Sequence, residues 1–393
     1  MRAGGCLNSL LTNRGEQGAV SAPEADSRGP VEAIRRLRDR LLANSRFHQR
    51  VLRFPIFRGI AQRRARQLFA IATGFSHTQV LTACVQLDLF EFLAQRPKTT
   101  EEVSTFATMS DEAAQCLLKA ASELGLVSET RSGLWRLGEL GAATRGNPGI
   151  TAMIRHNQLL YRDFANPTEV LRARGATELS RYWTYARSAN ESASASAQRY
   201  SDLMAQSQSF VADDVLAHAP IAGRRHLLDI GGGSGVFASE ALRRYPKLEA
   251  TVFDLPTVAP LAEDRFRELE LADRGCAAAG SMFDDPLPRD ADVVSLVRIL
   301  HDHDDQPVRS LLNAVRDAIS DDGILLIAEP MAGTKTSPSV GVYFQLYLWA
   351  MRSGRPRTRE ELTAMLHEAG FASVKEIKTY QPLLVRLLVA RPT

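Results

Sequence analysis

The chain has little cysteine. Cys6, Cys84, Cys116 and Cys276 are the four in 393 residues. They lie far apart, without the spacing of a metal knuckle or the density of a disulfide scaffold. Cys84 and Cys116 fall in apolar helical stretches and read as core. A reducing, cytosolic setting is expected. Charge of one sign is not in excess either: 48 Lys and Arg face 45 Asp and Glu, so no global pull toward nucleic acid is implied. No apolar run reaches the length of a membrane span. Residues 1–30 lack an apolar signal core, so export is not expected.

What the chain does have is length for two or three domains and one glycine-dense turn. Asp229-Ile-Gly-Gly-Gly-Ser-Gly235 follows the apolar run His226-Leu-Leu228. Helical spacing then runs from Val236 to Tyr245. Strand, glycine turn and helix open a nucleotide-type α/β fold, where glycine lets the backbone turn tightly and a ligand approach it. Thr251-Val-Phe-Asp254 ends the next strand in an acid suited to ribose hydroxyls. A dinucleotide site would carry a third glycine at the helix, and this chain has Phe237 and Ala238 there. Asp229, beside the first glycine, would repel pyrophosphate but could help seat the cationic methionine end of S-adenosylmethionine.

The remaining segments differ in character. Residues 1–30 carry no periodicity and read as disordered. Residues 31–68 carry eleven arginines against only Glu32 and Asp39, interleaved with bulky apolar residues such as Phe47, Phe54 and Phe57. Such a basic amphipathic arm suits an anionic membrane surface or, equally, packs on a partner subunit. Residues 69–150 read as a winged-helix domain. His77–Leu93 is its first helix. Thr99-Thr-Glu-Glu102 caps the second, and Ser110 caps the third, which stops at Gly125. Leu126-Val-Ser128 and Leu134–Leu137 then form a hairpin about Arg131-Ser-Gly133. Winged helices often read DNA, but Lys98–Gly125 holds two basic and five acidic residues, which phosphate would repel. Residues 151–220 are helical and rich in aromatics, including Tyr161, Phe164, Tyr182, Trp183, Tyr185, Tyr200 and Phe210, with Met204. These are core or the wall of an apolar pocket. Residues 221–393 alternate strand and helix, with strands near 226–230, 249–253, 275–279, 291–296, 323–329, 373–377 and 384–390. The last two are expected to pair antiparallel.

Arg298-Ile-Leu-His-Asp-His-Asp-Asp305 follows the fourth of these strands, where ligands sit in an open α/β sheet. Its composition invites a metal, but Gln306 stands where a metallohydrolase run would end in histidine, so none is expected. Helix caps would explain Asp302, Asp304 and Asp305. They do not explain His301, which is better placed as a general base at a strand end.

With these residues in view, the chain resembles the S-adenosylmethionine-dependent O-methyltransferases of the acetylserotonin and caffeate type. The glycine turn, Phe253-Asp-Leu-Pro-Thr-Val258, Gly280-Ser-Met-Phe283, Arg298–Asp302, Gly323–Pro330, Arg357–Leu362 and Ala369-Gly-Phe371 occur in that family's order. The resemblance covers about residues 70–393. It implies a C-terminal Rossmann-like class I methyltransferase domain, over 221–393, preceded by an all-helical winged-helix domain that makes a homodimer. It implies that Asp229, Gly231 and Gly233 border S-adenosylmethionine, that Asp254 holds its ribose, that Ser281, Met282 and Phe283 border its adenine, and that Arg298 contacts it. His301 would accept the proton, with Glu329 orienting it. Three positions depart from the pattern. Ser281 replaces an Asp beside adenine, His303 replaces a Trp, and Pro356 stands where plant relatives carry a second Glu near the base.

Phe54-Pro-Ile-Phe-Arg58, Ala65–Phe69 and Gln79–Cys84 further resemble bacterial carotenoid O-methyltransferases, which methylate the tertiary 1-hydroxyl of acyclic carotenoids in the spheroidene pathway of purple photosynthetic bacteria. That resemblance implies a hydroxycarotenoid acceptor and an enzyme that is cytoplasmic and peripheral on the inner membrane through residues 31–68. Tetrapyrrole and phenolic or polyketide acceptors remain alternatives within the class. A non-catalytic S-adenosylmethionine-binding or DNA-binding regulator is the other class, and His301 and the acidic third helix weigh against it.

Overall fold

The computed structural model describes residues 30–44, 55–172, 175–187, 208–333, 338–382 and 385–392. The disorder expected of residues 1–30 falls, apart from Pro30, outside the described residues. So do the middle of the arm and the stretch that holds Tyr200 and Met204. The described chain divides into two compact units, 1–76 and 77–393.

The first unit holds α1 (Pro30–Leu42) and most of α2 (Pro55–Gln86). Glu32 in the first turn of α1 and Arg40 in its last oppose the helix dipole favourably. Val31, Ile34, Leu37 and Leu41 recur at helical spacing and are all exposed, so α1 carries an uncovered apolar stripe among its arginines. The helix expected to begin at His77 begins at Pro55 and passes through without a break, since nothing between the two interrupts it. It also ends sooner. Asp88 takes a left-handed φ of 50° and separates α2 from α3 (Leu89–Gln95). Apolar spacing continues across the break in Leu87, Leu89 and Phe90, so periodicity cannot see it. The stretch Arg58–Gln86 is long and apolar enough, by length and composition alone, to cross a membrane. A search for unbroken apolar runs misses it because Gly74, Ser76 and Thr78 interrupt the run without adding charge.

In the second unit, α4 (Thr100–Ala107) opens with the expected capping box of Thr99 and Glu102. Ser110 accepts from Ala113 N at the start of α5 (Asp111–Glu123). The wing is an antiparallel pair, β1 (Val127–Glu129) and β2 (Trp135–Leu137). Trp135 is its anchor, fully buried with Leu89 and Leu118 while its Nε1 donates to Thr100 Oγ1 at 3.1 Å. Helices α6 (Glu139–Arg145), α7 (Pro148–Asp163), α8 (Pro167–Arg172), α9 (Glu178–Arg187) and α10 (208–218) follow.

The remainder is an α/β layer. Its strands are β3 (His226–Ile230), β4 (Glu249–Asp254), β5 (Gly275–Ala279), β6 (Ala291–Val297), β7 (Ile319–Glu329), β8 (Ser373–Ile377) and β9 (Arg386–Arg391). They lie in the order β5-β4-β3-β6-β7-β9-β8, parallel except for β9, which pairs antiparallel with both neighbours. The sheet is buried on both faces, which is why these strands read as continuous apolar runs. β7 starts earlier than expected: Ser320, Asp321 and Asp322 look like a turn in the sequence, but Ile319 pairs with Ala291 and holds them in line. Helices α11 (Val236–Arg244), α12 (Ala259–Glu268), α13 (Asp305–Ala318), α14 (Pro338–Met351) and α15 (Arg359–Glu368) complete the fold. Strand order reverses between β3 and β6, the switch point beyond whose carboxyl ends an open α/β sheet places its ligand crevice.

Candidate active site

The glycine turn leaves β3 at this crevice. Gly231 and Gly233 both have positive φ, 67° and 60°. A Cβ on Gly231 would lie 2.5 Å from Ile299 Cδ1, whereas one on Gly233 would meet nothing within 4 Å. Only glycine can hold the first position, and the second faces open space. Asp254 ends β4 beside it. Its Oδ2 accepts from Gly233 N at 2.8 Å and its Oδ1 from Leu255 N at 2.7 Å. Burial raises its pKa and those two bonds oppose the rise. Each oxygen keeps a lone pair, so the group can clasp the turn and still accept from a hydroxyl.

Asp229 lies beneath the turn, 1 % exposed, so any contact with a bound group passes close to Gly232. Ser295 Oγ donates to its Oδ1 at 2.6 Å, while its Oδ2 has no hydrogen-bond partner among the described residues. Burial pushes its pKa up to about 7, against the Ser295 bond and with the charge of Asp254. A bare cradle at Gly233, a strand-end carboxylate and a buried, half-satisfied carboxylate fit a ribose and a cationic group.

Ser281 Oγ donates to Asp284 Oδ2 at 2.7 Å, and Ser281 N to Asp285 Oδ2 at 2.8 Å. The position that lacks the pattern's acid is therefore ringed by two acids from the next turn. Met282 reaches back toward Gly231, and the Phe283 ring meets His303 edge-on at 4.8 Å. Arg298 adopts a left-handed φ of 61° just after β6, so the chain turns sharply there, and its N donates to Ala328 O at 2.8 Å.

His301 lies on a short 3₁₀ turn, Leu300–Asp302, and is buried. Its Nδ1 is 2.5 Å from Glu329 Oε2 and its Nε2 is 3.2 Å from Asp302 Oδ1. The other oxygen of Glu329 accepts from Ile299 N at 2.9 Å and Leu300 N at 2.7 Å. One buried carboxylate, at the end of β7, thus holds both the ring and the backbone of the turn. Burial works against the imidazolium, as does Arg298, but the charges of Asp302 and Glu329 outweigh them and hold the His301 pKa above its ordinary value. Asp302 adds a second carboxylate beside the ring from the histidine's own turn. Asp304 takes the N-cap position of α13 without capping it; its Oδ1 accepts from Gly354 N instead. Asp305 is paired with Arg355 and Arg357. Capping therefore does not account for these acids. Among the described residues no cluster of three metal-ligand side chains forms.

Aromatic rings face His301 across the crevice. Phe344 meets its ring edge-on at 5.7 Å, and Trp183 lies 6.3 Å from His303. Tyr343 and Tyr347 stack at 5.6 Å, their hydroxyls held by Asn157 Oδ1 at 3.1 Å and His156 Nε2 at 2.9 Å. Burial lowers the His156 pKa to about 4, so that pair is neutral. These rings lie deep in the chain yet keep some accessible surface, as side chains facing a cleft do. Segment 151–220 supplies only part of this wall, through Trp183, and α14 supplies the rest, which the sequence pattern of 151–220 does not indicate. Aromatics at 343, 344 and 347 were the available signal, hidden in a helix apolar on all sides. Asp302 and Arg357 were also missed as parts of the site, because their roles depend on contacts between β6, β7 and the segment after α14.

An O-methyltransferase domain profile matches residues 168–372, and an O-methyltransferase dimerisation domain profile matches residues 69–144. The chain is 37 % identical over 377 residues to demethylspheroidene O-methyltransferase of Cereibacter sphaeroides, covering 95 % of this chain and 99 % of that one. It is 38 % identical over 354 residues to the enzyme of the same name from Rhodobacter capsulatus, covering 89 % and 88 %. The crystal structure of human N-acetylserotonin methyltransferase in complex with SAM superposes with a TM-score of 0.70 at 26 % identity, covering 83 % of this chain and 97 % of that one. A seven-stranded sheet with its crevice at the glycine turn, a helical dimerisation domain ahead of it and these matches agree: the chain belongs to the O-methyltransferase family.

Proposed function

We propose that the chain transfers a methyl group from S-adenosylmethionine to the tertiary 1-hydroxyl of an acyclic carotenoid. The observation that carries this reading is His301, buried on the turn after β6, hydrogen-bonded to Glu329 and edge-on to Phe344. When bound, S-adenosylmethionine supplies a methyl already activated by its sulfonium. Gly231, Gly233 and Asp254 would hold its ribose side, Ser281, Met282 and Phe283 its adenine, and Arg298 and Asp229 its charged end.

The acceptor oxygen must shed its proton as the new C–O bond forms. An aliphatic alcohol is far less acidic than imidazolium, so the proton cannot leave first. Neutral His301 donates Nδ1–H to Glu329 and offers the Nε2 lone pair to the alcohol. Asp302 then lies beside the Nε2 proton that arrives, and Glu329 beside the other, so the imidazolium forms between two negative charges. The remaining contribution is alignment of oxygen and methyl.

Two observations favour a conjugated apolar acceptor. The two relatives above are named demethylspheroidene O-methyltransferase, and the hydroxyls of Tyr343 and Tyr347 are already engaged, so these two residues offer ring surfaces. Such an acceptor dissolves in membranes. We assign α1 to an anionic bilayer, which makes the enzyme cytoplasmic and peripheral on the inner membrane. α1 lies outside the dimerisation match and exposes both its arginines and its apolar stripe, whereas the exposed Phe69, Ile71 and Phe75 of α2 lie inside that match, with the partner subunit of a homodimer as their cover.

Turnover of methyl-labelled S-adenosylmethionine against hydroxycarotenoids, phenols and chlorophyllides tests the reading. Label is expected in the ether of a 1-hydroxycarotenoid. Label in a phenol or tetrapyrrole alone would move the acceptor, and absence of transfer to any of them, with cofactor bound, would leave a binding protein.

A further inference from the structure

The turn that carries His301 is held from behind by a segment to which no function has been given. α14 ends at Met351, and Arg352–Arg357 then crosses the back of the turn before α15 begins. Ser353 Oγ donates to Asp302 O at 2.7 Å. Gly354, at φ 75°, packs so closely that a Cβ there would lie 2.0 Å from His301 O. Arg357 is the centre of the arrangement. The residue is 2 % exposed, and its guanidinium donates to Leu300 O at 2.6 Å, His303 O at 2.7 Å and Asp305 Oδ1 at 2.8 Å. Arg355 grips the same Asp305 from both nitrogens, at 3.0 Å each.

These bonds complement those of Glu329. Glu329 accepts from Leu300 N on one side, and Arg357 donates to Leu300 O on the other. His303 O, on the far side of His301, is taken by the same guanidinium. The histidine is therefore flanked by two carbonyls fixed to one planar, always charged group. A small cavity lined by Leu300, His301, Glu329, Pro330, Arg357 and Leu362 lies alongside.

We infer that Arg357 is a positioning residue for His301: by holding the Leu300 and His303 carbonyls it fixes where Nε2 meets the acceptor, with Gly354 admitting the close approach this needs. The inference rests on the reading of His301 as the base. Arg357→Lys keeps the charge but cannot span both carbonyls and Asp305, and Gly354→Ala pushes on the same turn from outside the ion network. Both are expected to lower kcat roughly 10- to 100-fold, as a displacement of about 1 Å can. Acceptor KM and the S-adenosylmethionine dissociation constant are expected to stay within about two-fold, because Arg357 and Gly354 contact the His301 turn and none of the residues assigned to the cofactor. The imidazole resonance of His301, assigned by its loss in His301→Ala, should shift its titration midpoint in both variants. Adding Arg357→Lys to His301→Ala should cost little more. Arg357→Met, which strands two carbonyls, is informative only if soluble; the other two variants decide. Unchanged kcat and unchanged His301 titration in folded Arg357→Lys and Gly354→Ala would overturn the inference. If His301→Ala itself turns over normally, the base assignment fails instead, whatever Arg357 does.

Discussion

His301 shows how far one side chain's surroundings determine its use. A base must be neutral to work, and Asp302 and Glu329 together hold this one's pKa above the usual 6.5. Activity should therefore rise with pH through a midpoint above that value and be lost below it as the ring protonates. In Glu329→Gln one of the two supporting charges is gone, so the midpoint should move down while maximal kcat falls. The kcat/KM profile of both proteins between pH 5 and 10 checks this. A limb that keeps its place in Glu329→Gln would assign the titration to another group. His301, Asp254 and the glycines were legible in the sequence because strand ends and tight turns announce themselves by residue type. Asp302 was legible only as a neighbour, since nothing in a string of His and Asp says which carboxylate will face Nε2.

Helices and strands were legible to different degrees, and the reasons are physical. Strands buried on both faces stand out as short apolar runs between glycines and charges, and all seven of the main sheet lie close to where the sequence suggested. α4 and α5 announce their starts through Thr99 and Ser110. The junction of α2 and α3 does not, because a single left-handed Asp88 leaves apolar spacing intact. Long-range ties were invisible too. Asp214, on α10, is buried, and its two oxygens accept from Tyr380 N and Gln381 N, each at 2.8 Å. That carboxylate fastens the turn between β8 and β9 to a helix far off in sequence. Asp214→Ala should lower stability on the order of 2 kcal/mol, since two backbone donors lose a charged acceptor. Thermal melting and hydrogen exchange at residues 379–382 measure it; full protection of those amides in the variant would show that the turn holds itself.

At the scale of the whole molecule, the first unit exposes apolar and basic surface and the second encloses the chemistry. A stripe of Val31, Ile34, Leu37 and Leu41 beside Arg35, Arg36, Arg38 and Arg40 has a clear expectation attached. Reversing those four charges should weaken binding to anionic vesicles and make it more salt-sensitive, each arginine contributing about 1 kcal/mol near the surface. The dimer should persist, and activity on vesicle-borne carotenoid should fall more than activity in detergent. Sedimentation of vesicles and of the free protein separates the outcomes: unchanged vesicle binding with a dissociated dimer would make the arm an interface element. The sheet of the second unit raises a different matter, the order of manufacture. β9 follows every other strand in the chain, yet it lies between β7 and β8 and joins them. Until β9 pairs, β7 has one edge open and β8 has no strand neighbour. An unpaired edge invites pairing with another chain, so the edge of β7 is the one exposed to association until β9 docks on it.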